Sequence, residues 1–351
     1  MPVTTYATGV EADRVVFRLP DPDGLLSGVR LWSEVPVDGS AFVRTDEGWQ
    51  LDVPRPAAHR IEYLYQVTDG EDRLSVPDPT NPLRVAGVFG DHSWLPMPGY
   101  QPPEWLEAPR LAGTMVEQTF HTSDGPVSGA VWSAQVDPHR APLAVSDVDR
   151  LPLLICHDGS QMARYGRLID FVAAGTLPPL RLLLLDPGPD RNGRYAANPR
   201  YSAALVNEIL PAVVARFATR GKPVLMGQSL GATAALHAAR RYPGTFAGLF
   251  LQSGSFFTPQ LDPQESGYSH WRQVTGFVST LYRTAPPERI PTMIVCGSAE
   301  ENLANNRALA AHLAQAGGDI GWGEVADGHT WTTWRDLLDP HLTRLLQEAW
   351  H

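Results

Sequence analysis

The 351-residue chain is poor in lysine and in cysteine, and it has no long apolar run. Lys222 is the only lysine, so 27 of the 28 basic residues are arginine, and 38 acids outweigh them for a formal net charge of −10. A general nucleic-acid binder shows a basic stripe, which this balance opposes. Cys156 and Cys296 are the only cysteines. Each ends a short apolar run and reads as a buried strand residue, not as half of a disulfide. No His-x-x-x-His or Cys-x-x-Cys spacing occurs, so no metal is expected, and nothing calls for a cofactor. No stretch approaches the ~18 apolar residues of a membrane helix. Residues 1–19 alternate polar and apolar with acids and arginines, unlike a secretory signal. The expectation is therefore a cytoplasmic protein without nucleic-acid or membrane partners.

What is present is enough apolar sequence, 43% of residues, for one large domain and a smaller one. Residues 14–19, 29–35 and 60–68 alternate with period two, and Asp38-Gly39 and Asp69-Gly70 punctuate them as turns. This predicts a small all-β sandwich of Ig/E-set-like type over 1–94. Residues 95–112 are dense in proline and read as an extended linker. From 113 the pattern changes. Two paired strands, 114–122 and 127–136, are followed by apolar runs at 151–156, 180–185, 223–226, 248–251 and 292–296, as strands covered on both faces require. Helical patterns at 202–219, 232–240, 302–316 and 334–350 alternate with them, so 113–351 is expected to be an α/β domain with a mostly parallel sheet and helices on both faces.

Gly227-Gln228-Ser229-Leu230-Gly231 follows the run at 223–226 and opens the helical pattern at Ala232. This is the G-x-S-x-G nucleophile elbow in the context it needs: strand, sharp turn, helix. The glycines let strand and helix approach, and the Leu230 N–H points toward a developing oxyanion. In α/β-hydrolase folds with this elbow, acid and histidine follow the serine at later strand ends. His329, in Asp327-Gly328-His329 after the short strand at 321–325, is the candidate base. Glu300, after the strand at 292–296, is the first candidate for the orienting acid and Glu301 the second; either is also suited to start the next helix. A second oxyanion amide is expected from Ser160 or Gln161 after the strand at 151–156, and His157 at that strand end is a candidate pocket residue.

GQSLGA at 227–232, QSGS at 252–255 and DGHTWTTWR at 327–335 together resemble the enterochelin esterases, a family of ferric-siderophore hydrolases whose wider relatives include carbohydrate and feruloyl esterases and mycolyltransferases. HDGSQM at 157–162 is similar to the family's oxyanion loop, and YLYQVTDG at 63–70 with VPDPTNPL at 76–83 to its N-terminal sandwich. The resemblance implies an α/β-hydrolase fold, Ser229 as nucleophile and His329 as base. One departure is that Arg191-Asn192-Gly193-Arg194 stands where the family segment has Arg-x-x-Glu. Arg191, Arg194 and Arg164, with Arg167 and Arg200, form a candidate binding group for an anionic ester such as a tris-catecholate iron complex. Trp331, with Trp334 and Trp271, is a candidate aromatic wall.

Three functions follow as expectations. The first is a serine esterase acting through an acyl-enzyme on a siderophore-type, aryl or acyl ester. The second is a carbohydrate (acetyl or feruloyl) esterase or acyltransferase of the same fold. The third is a catalytically silent binding protein.

Overall fold

Val15, Phe17 and Leu19 of strand Arg14–Pro20 share one buried cluster with Ile61, Tyr63, Tyr65 and Val67 of strand Arg60–Asp69. The period-two alternation thus becomes a core between two antiparallel sheets. One sheet orders Gly9–Val10, Arg14–Pro20, Gly48–Pro54 and Val43–Arg44; the other orders Leu26–Ser33, Arg60–Asp69, Gly90–Pro96 and Arg84–Gly87, and Asp72–Val76 also pairs with Arg60–Asp69. The computed structural model describes residues 6–135 and 150–351. The segment 76–83 has a structural role: the Asp78 carboxylate accepts from the buried Tyr63 and Tyr65 hydroxyls at 2.8 and 2.9 Å.

The sandwich departs from the expected boundaries. Its strand Gly90–Pro96 runs past residue 94. Its compact unit reaches Gln101 and also includes two later segments, Gly297–Glu301 and Val325–Thr333. Residues 95–112, expected as an extended linker, contain the helical turn Glu104–Glu107, whose buried Trp105 packs edge-on against Phe171 at 5.2 Å.

The second unit is built on an eight-stranded sheet. Its strands are β1 Gly113–Thr122, β2 Gly125–Ala134, β3 Leu153–His157, β4 Arg181–Leu185, β5 Val224–Gln228, β6 Gly248–Gln252, β7 Thr292–Gly297 and β8 Ile320–Val325, in the order β1-β2-β4-β3-β5-β6-β7-β8. The hairpin β1–β2 joins β4 antiparallel, and β4, β3, β5, β6 and β7 run parallel. Val136, the expected end of β2, lies outside the described residues. Strands β3, β5 and β6 are buried along their whole length, which explains their continuous apolar sequences.

The helices match the sequence pattern less closely. The helix expected at 202–219 runs over 199–216, with Pro199 in its first turn and Asn198 capping the Arg200 N–H at 2.9 Å. The single helix expected at 334–350 is two, Trp331–Asp336 and Thr343–Ala349. Asp339 between them is extended, at φ −109° and ψ 131°, because a residue before proline is pushed out of the helical region. Helix Trp271–Arg283 was not anticipated, although it buries Val274, Val278 and Leu281 at helical spacing.

Candidate active site

Five buried residues of β5 deliver the chain to Ser229, whose backbone sits at φ 55° and ψ −124°. A serine pays strain for a positive φ, and such outliers collect at functional turns. The flanking glycines have a steric cause. A Cβ on Gly227 would lie 2.3 Å from the Gly231 carbonyl oxygen, and one on Gly231 would lie 3.2 Å from the His157 Cβ. The strand and helix Leu230–Arg241 therefore meet at backbone contact. The Ser229 N–H is held by the Gln252 carbonyl at 2.9 Å, and its Oγ lies 3.3 Å from the Ser255 hydroxyl. Leu230 opens the helix, so its amide has no partner one turn back and is directed out of the helix start.

Beneath the stretch 252–255 lies a polar scaffold that the sequence reading missed. Asn306 donates to the Gly254 carbonyl at 2.7 Å and accepts the Gly254 N–H at 3.0 Å. Asn302 donates to the Ser253 carbonyl at 3.3 Å, and Trp334 Nε1 donates to Ser253 Oγ at 3.0 Å. The available signal was Asn302, Asn305 and Asn306 at the start of helix Leu303–Gln315, since asparagine is a poor helix former unless its amide is in use.

The candidate acid and base lie in the first unit. His329 Nδ1 faces Glu300 Oε2, and the other oxygen of Glu300 accepts the Gly297 N–H at 2.6 Å. Glu300 is buried, whereas Glu301 is exposed. Burial alone disfavours charge on the His329 ring, but the Glu300 carboxylate outweighs it and raises the pKa above its ordinary value. About a quarter of the His329 side chain, 25%, remains open. Along the chain Glu300 follows β7 and His329 follows β8, both later than Ser229 after β5. Ser229 lies in the second unit.

Several candidates take other roles. The Ser160 N–H is not free for an oxyanion, because Asp186 accepts it at 3.0 Å and takes the hydroxyl at 2.6 Å. Gln161, one residue further into helix Gly159–Arg164, keeps a first-turn amide. His157 is not an open pocket residue. It is fully buried, its Nδ1–H donates to the Gly231 carbonyl at 2.9 Å, and burial pushes its pKa down to about 4, so the ring is neutral. Its work is to brace the elbow helix.

Three of the five candidate arginines have acidic or carbonyl partners of their own. Arg191 is spent on Asp158, donating from Nε at 2.8 Å and Nη2 at 2.7 Å, which locks the left-handed Asp158 before helix Gly159–Arg164. Arg194 donates to the Pro187 carbonyl at 2.6 Å and the Asp124 carbonyl at 3.0 Å, stapling the β1–β2 turn. Arg167 pairs with Asp170. Arg164 and Arg200 are exposed. Trp331 is half-buried at the start of its helix, Trp334 is buried on Ser253, and Trp271 stacks on Phe257 at 5.9 Å.

Comparison with known proteins adds the family context. Residues 140–345 match the model of the esterase family, described as putative esterase. The chain is 25% identical over 331 residues to the iron(III) enterobactin esterase of Escherichia coli strain K12, covering 86% of this chain and 80% of that one. Its fold is similar to that of the enterobactin esterase from Shigella flexneri, solved in the presence of enterobactin, with a TM-score of 0.74, 22% identity and 98% and 97% of the two chains covered. A ferulic acid esterase aligns with a TM-score of 0.54 and 16% identity, over 68% of this chain and 98% of its own. The fold is that of the α/β hydrolases, preceded by a β-rich domain.

Proposed function

Because this chain belongs to the putative esterase family and is an ester hydrolase, we propose that it works through a serine acyl-enzyme on a siderophore-type ester related to enterobactin. The observation that carries the mechanism is Ser229 at positive φ between β5 and its helix, with Gly227 before it leaving no room for a side chain and Gly231 after it closely packed against His157.

In this reading Ser229 Oγ attacks the ester carbonyl carbon, and the Nε2 of His329 takes its proton. Glu300 holds the Nδ1–H and stabilises the imidazolium that forms. The amides of Leu230 and Gln161 receive the developing oxyanion. The carbonyl re-forms, the C–O bond breaks, and the imidazolium returns the proton to the leaving alcohol. Water, deprotonated by the same imidazole, then releases the acid and restores Ser229. A siderophore-type ester is favoured over a feruloyl sugar because the enterobactin esterase likeness extends through the β-rich domain, covering 98% of the chain, while the ferulic acid esterase covers 68%.

The test is hydrolysis of p-nitrophenyl butyrate, ferric enterobactin and a feruloyl sugar by wild type and by Ser229→Ala. Ser229→Ala is expected to abolish turnover and fluorophosphonate labelling while its thermal transition is kept. Residual hydrolysis at the wild-type rate would refute the mechanism, an unlabelled wild type would favour a silent binding protein, and faster turnover of the feruloyl sugar would refute the substrate class.

A further inference from the structure

Arg60 is fully buried, which is unusual for an arginine and demands a reason. It sits at the start of strand Arg60–Asp69 in the β-sandwich and reaches Asp327, two residues before His329. Its Nε donates to Asp327 Oδ2 at 2.6 Å, its Nη2 pairs with the same oxygen, and its Nη1 donates to the Tyr100 hydroxyl at 2.8 Å. The Tyr100 ring lies against the guanidinium at 4.7 Å.

The neighbouring backbone is tied to the sandwich as well. The His59 N–H donates to the Ala326 carbonyl at 2.6 Å, and a Cβ on Gly328 would lie 3.0 Å from the Glu34 carbonyl oxygen. Asp327 in turn serves both members of the acid–base pair. Its Oδ1 accepts the Gly328 N–H at 3.0 Å, next to His329, and its backbone carbonyl accepts the Ala299 N–H at 3.0 Å, next to Glu300. One residue thus links the histidine turn, the acid turn and the sandwich.

We propose that the β-sandwich is part of the catalytic apparatus, with Arg60 as a positioning residue that sets the His329–Glu300 geometry through Asp327. Stability alone does not account for the pair. A buried ion pair loses much of its attraction to desolvation, and well-packed apolar residues of similar volume commonly do as well. What an ion pair adds is direction, and direction is what an acid–base pair needs, because a misplacement of about 1 Å costs on the order of 100-fold in rate.

The inference rests on His329 being the base, and the experiment separates the two claims. The paired variant Arg60→Met with Asp327→Leu removes the charges and keeps the volume. It is expected to melt close to wild type, yet to lose about 30- to 100-fold in kcat on p-nitrophenyl butyrate with KM changed less than about twofold. The acid limb of its kcat/KM profile is expected to fall toward the ordinary histidine value of about 6.5 as Glu300 loses its hold. The other carboxylates facing His329, Glu301 on the acid turn and Glu34 on the sandwich, are unchanged in this variant. Arg60→Lys, which keeps one donor, is expected to recover part of kcat.

A folded paired variant with wild-type kcat and acid limb overturns the inference and leaves the serine mechanism standing. Turnover that persists in His329→Ala overturns the mechanism itself. If the paired variant does not fold, Tyr100→Phe decides. It removes one partner of Arg60 and is expected to lower kcat about 3- to 10-fold, and an unchanged kcat overturns the inference.

Discussion

Replacing Glu300 with glutamine tests the electrostatics of the site without changing its shape. Glu300 Oε1 accepts the Gly297 N–H at 2.6 Å, a demand only an oxygen can meet. In Glu300→Gln the amide oxygen keeps that bond, so the NH2 group turns toward His329 Nδ1. A donor then faces the nitrogen that now carries the proton. The ring must shift its proton to Nε2, the atom that receives the one from Ser229 in the proposed mechanism. Loss of both the tautomer and the charge that stabilises the imidazolium is expected to cost about 10³- to 10⁴-fold in kcat, or about 4–5.5 kcal/mol of barrier.

The assay is p-nitrophenyl butyrate hydrolysis from pH 5 to 10. Wild type is expected to show an acid limb above the ordinary histidine value, because Glu300 outweighs the burial of the ring. The limb in Glu300→Gln is expected at lower pH. Stability gives an independent reading. A histidine whose folded pKa is raised contributes stability that is fully present below its unfolded value of about 6.5 and lost as pH rises through the folded value. The melting-temperature gap between wild type and Glu300→Gln is therefore expected to be widest below the unfolded value of about 6.5 and to narrow as pH rises above it. A variant that keeps kcat within about threefold, or a gap that widens with pH, would refute the reasoning.

Three further predictions follow from packing and burial. Gly227→Ala places a methyl 2.3 Å from the Gly231 carbonyl, so the elbow cannot close, and loss of fluorophosphonate labelling is expected; wild-type labelling would refute the steric argument. Glu34→Gln removes a carboxyl that burial pushes up to about 7. Because the folded protein holds that proton more tightly, wild-type stability falls as pH rises from about 4.5 through 7, by up to roughly 3 kcal/mol. The variant is expected to gain on wild type at pH 8 relative to pH 5 in urea melts, and parallel pH curves would count against it. His157→Leu leaves the Gly231 carbonyl without its partner and is expected to cost about 1–3 kcal/mol in urea unfolding. Its KM should be unchanged, and a large KM change with normal stability would return His157 to the substrate pocket.

The fold was legible because its signals are local. Continuous apolar runs announced β3 to β7, alternation announced the sandwich strands, and the G-x-S-x-G stretch carried its own steric logic between residues a few positions apart. Signals that depend on a distant partner were not. Arg191 and Arg194 read as members of a candidate anion-binding group, and nothing near them in the sequence showed that Asp158 and the backbone carbonyls of Asp124 and Pro187 are their partners. Ser160 looked like an oxyanion donor until Asp186 lay beside it. The two glutamates after β7 were equivalent as letters, and only the turn back to Gly297 turned Glu300 inward and left Glu301 in solvent.

By itself the sequence determined the strands, the elbow and the chain order of the candidate serine, acid and histidine, because backbone sterics and hydrophobic periodicity act between near neighbours. Tertiary structure alone decided which charges are spent and which domain steadies the histidine turn. Arg60 and Asp327 are 267 positions apart, and nothing between them along the chain records that burial makes each the other's partner.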